Sequence, residues 1–208
     1  LLVLAAPAWG DSVAVEVTGV EGELRENVAA FLDITAAQGA EGLSPGRIRL
    51  LHRRAPEQVR AALEPLGYYG ARVEGELSRD GEAWTARYRI APGEPVRVER
   101  LDVAVTGEGA DLPAFREAVA GFPLARGDVL VHARYEAGKR PFLAAASELG
   151  FLDARFTRHR VRVDADEGAA TVALHFDTGP RYDFGPVTFE HSVLRTALLR
   201  RYLGFREG

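Results

Sequence analysis

The residues best suited to proton transfer or metal binding are five histidines: His52, His132, His159, His175 and His191. Zinc on a helix would need paired histidines one turn apart, as in H-E-x-x-H, and no such pair occurs. His159 and His175 fall on opposite arms of an expected hairpin and could approach each other. Two imidazoles with no placed carboxylate make a poor zinc site, and exposed polar strand positions explain them equally well. The 208 residues contain no cysteine, which excludes disulfides and thiolate–metal centres. No G-x-S-x-G elbow occurs, the carboxylates are scattered, and Gly107-Glu-Gly109 is too short for a dinucleotide loop. A Walker-type phosphate loop is absent too. We therefore expect no catalysis, no metal site and no cofactor.

Two groups of cations remain. Arg47, Arg49, Arg53 and Arg54 form a local basic patch, read either as a solvated helix face or as a dock for acidic partners or lipid headgroups. Arg155 and Arg158 to Arg162, with His159 and Val161 between, lie on an expected strand. Charge on a strand edge blunts aggregation as readily as it binds a partner. The net charge of −4 gives no reason to expect nucleic acid.

The elements that carry these residues repeat. Ala62–Val73 (ALEPLGYYGARV) resembles Ala145–Phe156 (AASELGFLDARF), 83 residues on. Val59, Ala62, Leu63 and Leu66 match Phe142, Ala145, Ala146 and Leu149, and each set has the spacing of one helix face. Gly67 and Gly150 follow, where a left-handed glycine ends a helix. Pro92–Val103 likewise resembles Thr178–Phe189. Val96 and Val98, then Leu101 and Val103, alternate with one residue skipped between the pairs; Tyr182, Phe184, Val187 and Phe189 do the same. Either a β-bulge or a handover between neighbouring domains accounts for such a skip.

Along the chain, Val13, Val15 and Val17 alternate as a strand. Glu23–Ile34 reads as a helix with Leu24, Val28, Phe31 and Leu32 on one side. Residues 39–46 form a loop, and a second helix ends at Gly67. Ala71–Arg79 and Trp84–Ile90 form a hairpin about Asp80-Gly81. Trp84, Ala86, Tyr88 and Ile90 face one way and Thr85, Arg87 and Arg89 the other, so the sheet is covered on one face. The order then recurs: strand Val96–Val105, helix Asp111–Val119 with Asp111 as its cap, helix Val131–Leu149 bent at Pro141, and a hairpin of Ala154–Val163 with Ala170–Asp177 about residues 164–168. A third unit opens with strand Tyr182–Glu190 and helix Ser192–Leu203.

Leu1–Gly10 is apolar and ends in small residues, with Ala6-Pro-Ala8 matching an export-signal cleavage pattern; an apolar first strand is the other reading. We expect 1–10 to be a signal-peptide remnant, a first domain over 11–92, a second over 93–178, and the start of a truncated third over 179–208. Without a starting methionine, and with the third unit cut off at Gly208, the intact protein is expected to extend at both ends.

This pattern resembles tandem POTRA domains, an α+β fold. Each is β-α-α-β-β, with a three-stranded mixed sheet covered on one face by two helices. Leu66-Gly-Tyr-Tyr69, Gly93-Glu-Pro-Val96, Asp177–Glu190 and Gly204–Gly208 carry the resemblance, and it is similar above all to the TamA branch of the Omp85 (BamA-like) superfamily. The resemblance implies the periplasmic face of the outer membrane of a Gram-negative bacterium and a role in outer-membrane protein assembly or autotransporter translocation. It also implies a C-terminal β-barrel, unfolded outer-membrane protein clients and a TamB-like partner anchored in the inner membrane. A partner-docking scaffold of a BamA-like, two-partner secretion or other envelope system is the alternative. Such folds place the last strand centrally, which leaves the first hairpin strand at an edge open to β-augmentation. The partner-binding candidates are therefore Ala71, Arg72, Val73, Glu74, Gly75, Glu76 and Leu77, and Ala154, Arg155, Phe156, Thr157, Arg158 and His159.

Overall fold

The computed structural model describes residues 11–40, 42–183 and 185–188. The elements run β1 (Ser12–Thr18), α1 (Gly22–Phe31), α2 (Asp33–Ala36), α3 (Pro45–Leu63), β2 (Arg72–Asp80), β3 (Ala83–Ala91), β4 (Arg97–Thr106), α4 (Pro113–Ala120), α5 (His132–Glu148), β5 (Arg155–Asp164) and β6 (Ala169–Asp177). They form two three-stranded sheets, ordered β1-β3-β2 and β4-β6-β5. Both sheets are mixed, and helices and strands together give the α+β class expected from the sequence. Contacts divide the chain into two compact units. The first takes in the chain up to Leu101 with Pro123–Ala137 and Val161–Val172; the second takes in Asp102–Phe122, Gly138–Arg160 and the chain from Ala173.

In the first sheet β1 runs parallel to β3 (Val13↔Trp84 to Thr18↔Arg89) and β2 antiparallel to it (Arg72↔Ala91 to Asp80↔Ala83). A parallel pair needs a crossover, and α1 to α3 supply it on one face. Trp84, Ala86, Tyr88 and Ile90 are buried against Val28, Leu32, Ile34, Ile48, Leu51, Ala55, Val59, Ala62 and Leu63. The apolar period of α3 thus faces the apolar period of β3. Ser44 caps α3, its Oγ accepting from Arg47 N–H at 3.2 Å, and Pro45 occupies the first turn. After a short 3-10 turn, Gly67 takes φ 95 and ends the helical run as the sequence requires.

Three local expectations change. The helix expected over Glu23–Ile34 is broken: Leu32 is extended (ψ 107), α2 starts at Asp33, and Phe31 is 46% exposed. Leu32 and Ile34 are both fully buried; two residues apart, they could not share one helical face, and the break lets both enter the core. The hairpin loop is Gly81-Glu82 rather than Asp80-Gly81, because Asp80 still pairs with Ala83. Gly81 has φ 61 and no described non-glycine residue has positive φ, so glycine takes the first turn position, the one that needs it. In the second repeat the cap before α4 is Leu112, not Asp111. Pro113 opens the helix and forces the residue before it into an extended conformation; Asp111 instead accepts from Arg116 at 3.3 Å.

Within the second unit Phe115, Phe142, Phe151, Phe156 and Phe176 form an aromatic cluster with ring centroids 4.9–6.2 Å apart. The buried row Ala170, Val172, Leu174 and Phe176 makes β6 the counterpart of β3. The start of β4 has a second partner. Arg97 bridges antiparallel to Val129, and the amides of Val98 and Leu130 donate to the carbonyls of Asp128 and Val96, each at 2.9 Å. Of the expected third unit, Tyr182, Asp183 and residues 185–188 are not in a strand. The Tyr182 amide donates instead to the Gly150 carbonyl at 2.8 Å. The helix expected over Ser192–Leu203, His191 and residues 1–10 lie outside the described residues.

Candidate partner-binding edges

The strand orders leave β2 at one edge of the first sheet and β5 at one edge of the second. Ala71–Leu77 and Ala154–His159 therefore lie on, or one residue before, edge strands, because β3 and β6 take the centre. The opposite edges, β1 and β4, are each partly covered at their start. Asp11 N–H donates to the Leu43 carbonyl at 3.1 Å, and Arg97 bridges Val129. These two clasps stand 86 residues apart in both members, so the repeat extends to the loop before each long helix.

The two candidate edges differ. β2 keeps an unbroken register of nine pairs with β3. Val73 and Leu77 lean on the core, while Arg72, Glu74 and Glu76 are exposed. On the uncovered face the central Arg87 sits between Glu16 and Glu76, and Arg89 between Thr18 and Glu74. Arg87 pairs with Glu16 at 2.9 Å and Arg89 with Glu74 at 3.6 Å. These residues and Gly75 line a shallow hollow of about 290 Å³. Gly75 lies opposite Tyr88, and a Cβ there would stand 3.2 Å from both His52 Cε1 and Tyr88 Cε1. The missing side chain lets those two rings press against the inner side of the strand.

On β5, Phe156 packs into the aromatic cluster, its centroid 4.9 Å from that of Phe176. The next half-buried residue is Val161, and Thr157, Arg158, His159 and Arg160 are all exposed. Strict alternation would bury every second residue, and β5 departs from it, with four exposed residues between Phe156 and Val161.

The histidines do not converge. His52, on α3, stacks on Tyr88 at 5.5 Å with Nδ1 3.0 Å from its hydroxyl. Burial holds the imidazole pKa below its ordinary value and pushes the Tyr88 phenol up. His132 Nε2 meets the Tyr69 hydroxyl at 2.5 Å. His175 Nε2 lies 2.7 Å from Asp102 on β4, turned away from the β5 side of the sheet where His159 lies. Among the described residues no three His, Asp or Glu groups could hold a metal ion, and no helix is long and apolar enough to cross a membrane. Of the basic patch on α3, Arg49 lies over the Trp84 ring, 5.2 Å from its centroid.

The sequence reading overlooked Asp11, taken there only as the start of the mature chain. It is buried and its Oδ2 accepts from Trp84 Nε1 at 2.7 Å. A tryptophan in an inward strand row was the available signal, since its N–H needs a partner.

Residues 14–92 match the family described as POTRA domain, TamA domain 1. That segment is similar to a POTRA domain of the TamA type. The second sheet repeats the strand order of the first. Among solved structures, the chain is similar to BamA POTRA3-5 of Haemophilus influenzae (14% identity, 98% of this chain and 82% of that one, TM-score 0.46). It is also similar to the N-terminal domain of Omp85 from Thermosynechococcus elongatus (17% identity, 95% and 77%, TM-score 0.39). A third likeness is to POTRA1-2 of Omp85 from Anabaena (13% identity, 83% and 96%, TM-score 0.37).

Proposed function

We propose that the chain is a periplasmic scaffold for outer-membrane protein assembly, autotransporters included, and that it holds client or partner strands by β-augmentation along β2. In this reading the domains run 11–92 and 93–178, a third opens at 179 after an export signal, and the full-length protein continues into an outer-membrane β-barrel. A TamB-like protein anchored in the inner membrane is the partner. The observation that carries the reading is the unbroken nine-residue register of β2, an edge with one neighbour. Its outward N–H and C=O groups offer a ladder to any extended chain. Four to six hydrogen bonds at about 0.5–1.5 kcal/mol each, less the cost of ordering the client, leave affinities of order µM to mM. Such binding permits release, and tandem domains raise grip through effective concentration. β5, through Ala154–His159, is the second candidate edge.

Photo-cross-linkers at Glu74 and Glu76, at Arg155 and Thr157, and on the helical face at Arg53 and Arg60 test the reading in the full-length protein in cells. Capture of client or partner strands along β2 is expected. Capture confined to the helical positions refutes edge pairing.

A further inference from the structure

We propose that Thr157–Arg160 of β5 is a docking site for phosphate-bearing lipid headgroups at a membrane surface. Four successive exposed side chains line a shallow hollow of about 360 Å³: a hydroxyl, two guanidiniums and an imidazole. All four can donate hydrogen bonds and none carries negative charge. Among the described residues the one ion pair of this stretch belongs to its neighbour, Arg155 with Asp177 at 3.9 Å. Arg158 and Arg160 form none, so their charge is free. Successive strand residues rise about 3.3 Å, so the backbones of Arg158 and Arg160 stand about 6.6 Å apart along the strand, close enough for their side chains to reach one phosphate or two. Guanidinium forks match phosphate oxygens in pairs.

The side chains decide the kind of ligand. Four successive exposed donors, two of them guanidiniums, present charge to solvent rather than the alternating apolar row on which an added strand would pack, so recognition here falls to side chains. That favours an array of anionic headgroups over an extended peptide. It also sets β5 apart from β2, whose regular register suits a strand. The site stands independently of strand capture at β2.

The test is co-flotation of the 208-residue chain with vesicles of phosphatidylcholine alone and with added phosphatidylglycerol. The variants are the double substitution R158Q/R160Q and, as a charge-matched control on α3, R53Q/R54Q. Circular dichroism checks that each folds. The wild type and the control should float with phosphatidylglycerol vesicles and not with phosphatidylcholine alone. R158Q/R160Q should bind about thirtyfold more weakly, the combined contribution of two arginines near an anionic surface. Equal loss in the control would mean diffuse charge attraction and overturn the site. So would undiminished binding by R158Q/R160Q, or no binding to phosphatidylglycerol. Titration with inorganic phosphate, and with polyglutamate, separates the other sources. Saturable binding of either without vesicle binding would overturn a lipid ligand.

Discussion

Asp11→Ala removes a buried carboxylate that accepts from Trp84 and Arg79, and its cost follows from the distances around it. Asp11 is 7% exposed; its Oδ2 accepts from Trp84 Nε1 at 2.7 Å and its Oδ1 from Arg79 Nη2 at 3.3 Å. Trp84 is 5% exposed, and the guanidiniums of Arg49 and Arg79 lie 5.2 and 5.0 Å from its ring centroid. Truncation leaves the indole N–H without its acceptor in a site closed to water, at a cost of about 1–3 kcal/mol. The Arg79 pair, with the arginine 42% exposed, adds at most about 1 kcal/mol. The bond from Asp11 N–H to Leu43 belongs to the backbone and survives. A loss of about 1–4 kcal/mol corresponds to a fall in the unfolding midpoint of the first domain of order 5–30 °C. Urea and thermal unfolding followed by circular dichroism measure it, and the double-mutant cycle with Trp84→Phe isolates the indole term. In the phenylalanine background Asp11→Ala should cost less than about 1 kcal/mol. A loss under about 0.5 kcal/mol in the wild-type background, or an equal loss in both, would refute the account.

Three further outcomes follow from the same structure. Burial holds the folded His52 pKa below the ordinary 6.5, so its neutral form is favoured in the fold. The stability this contributes is complete above pH 6.5 and is lost as pH falls through the folded pKa. Urea midpoints should therefore drop below pH 6.5 in the wild type, and His52→Phe should flatten that slope. Gly67→Ala places a Cβ 2.8 Å from Val129 Cγ1 and 3.0 Å from the Leu130 carbonyl oxygen, at φ 95. It should cost at least about 2 kcal/mol and speed hydrogen exchange at Val96, whose amide donates to the Gly67 carbonyl at 2.8 Å. Phe176→Ala, at the centre of the aromatic cluster, should cost about 3–5 kcal/mol, whereas Leu152→Ala, at a position 72% exposed, should leave the midpoint unchanged.

Much of the architecture was legible because its signals are local. The alternation of Trp84, Ala86, Tyr88 and Ile90 fixed which face of β3 is inward. The spacing of Val59, Ala62 and Leu63 fixed the face of α3 that meets it. Gly67 and Gly150 marked helix ends because only glycine enters the left-handed region freely, and their recurrence exposed the duplication. The first helix was misread since Phe31, Leu32 and Ile34 are all apolar, and no local pattern says which of them enters the core. The candidate edges were named from a family resemblance, not from any feature of Ala71–Leu77 or Ala154–His159.

By itself, then, the sequence determined what each short segment becomes, which side of it is apolar, and that the order occurs twice. Periodicity and glycine placement act over a few residues and need no partner. The tertiary structure alone decided which strands stand at the edges, that β2 keeps an unbroken register with β3, and that Asp11 reaches Trp84 across 73 residues. Those facts depend on which distant segments pair, and pairing follows from the packing of the whole sheet against its helices.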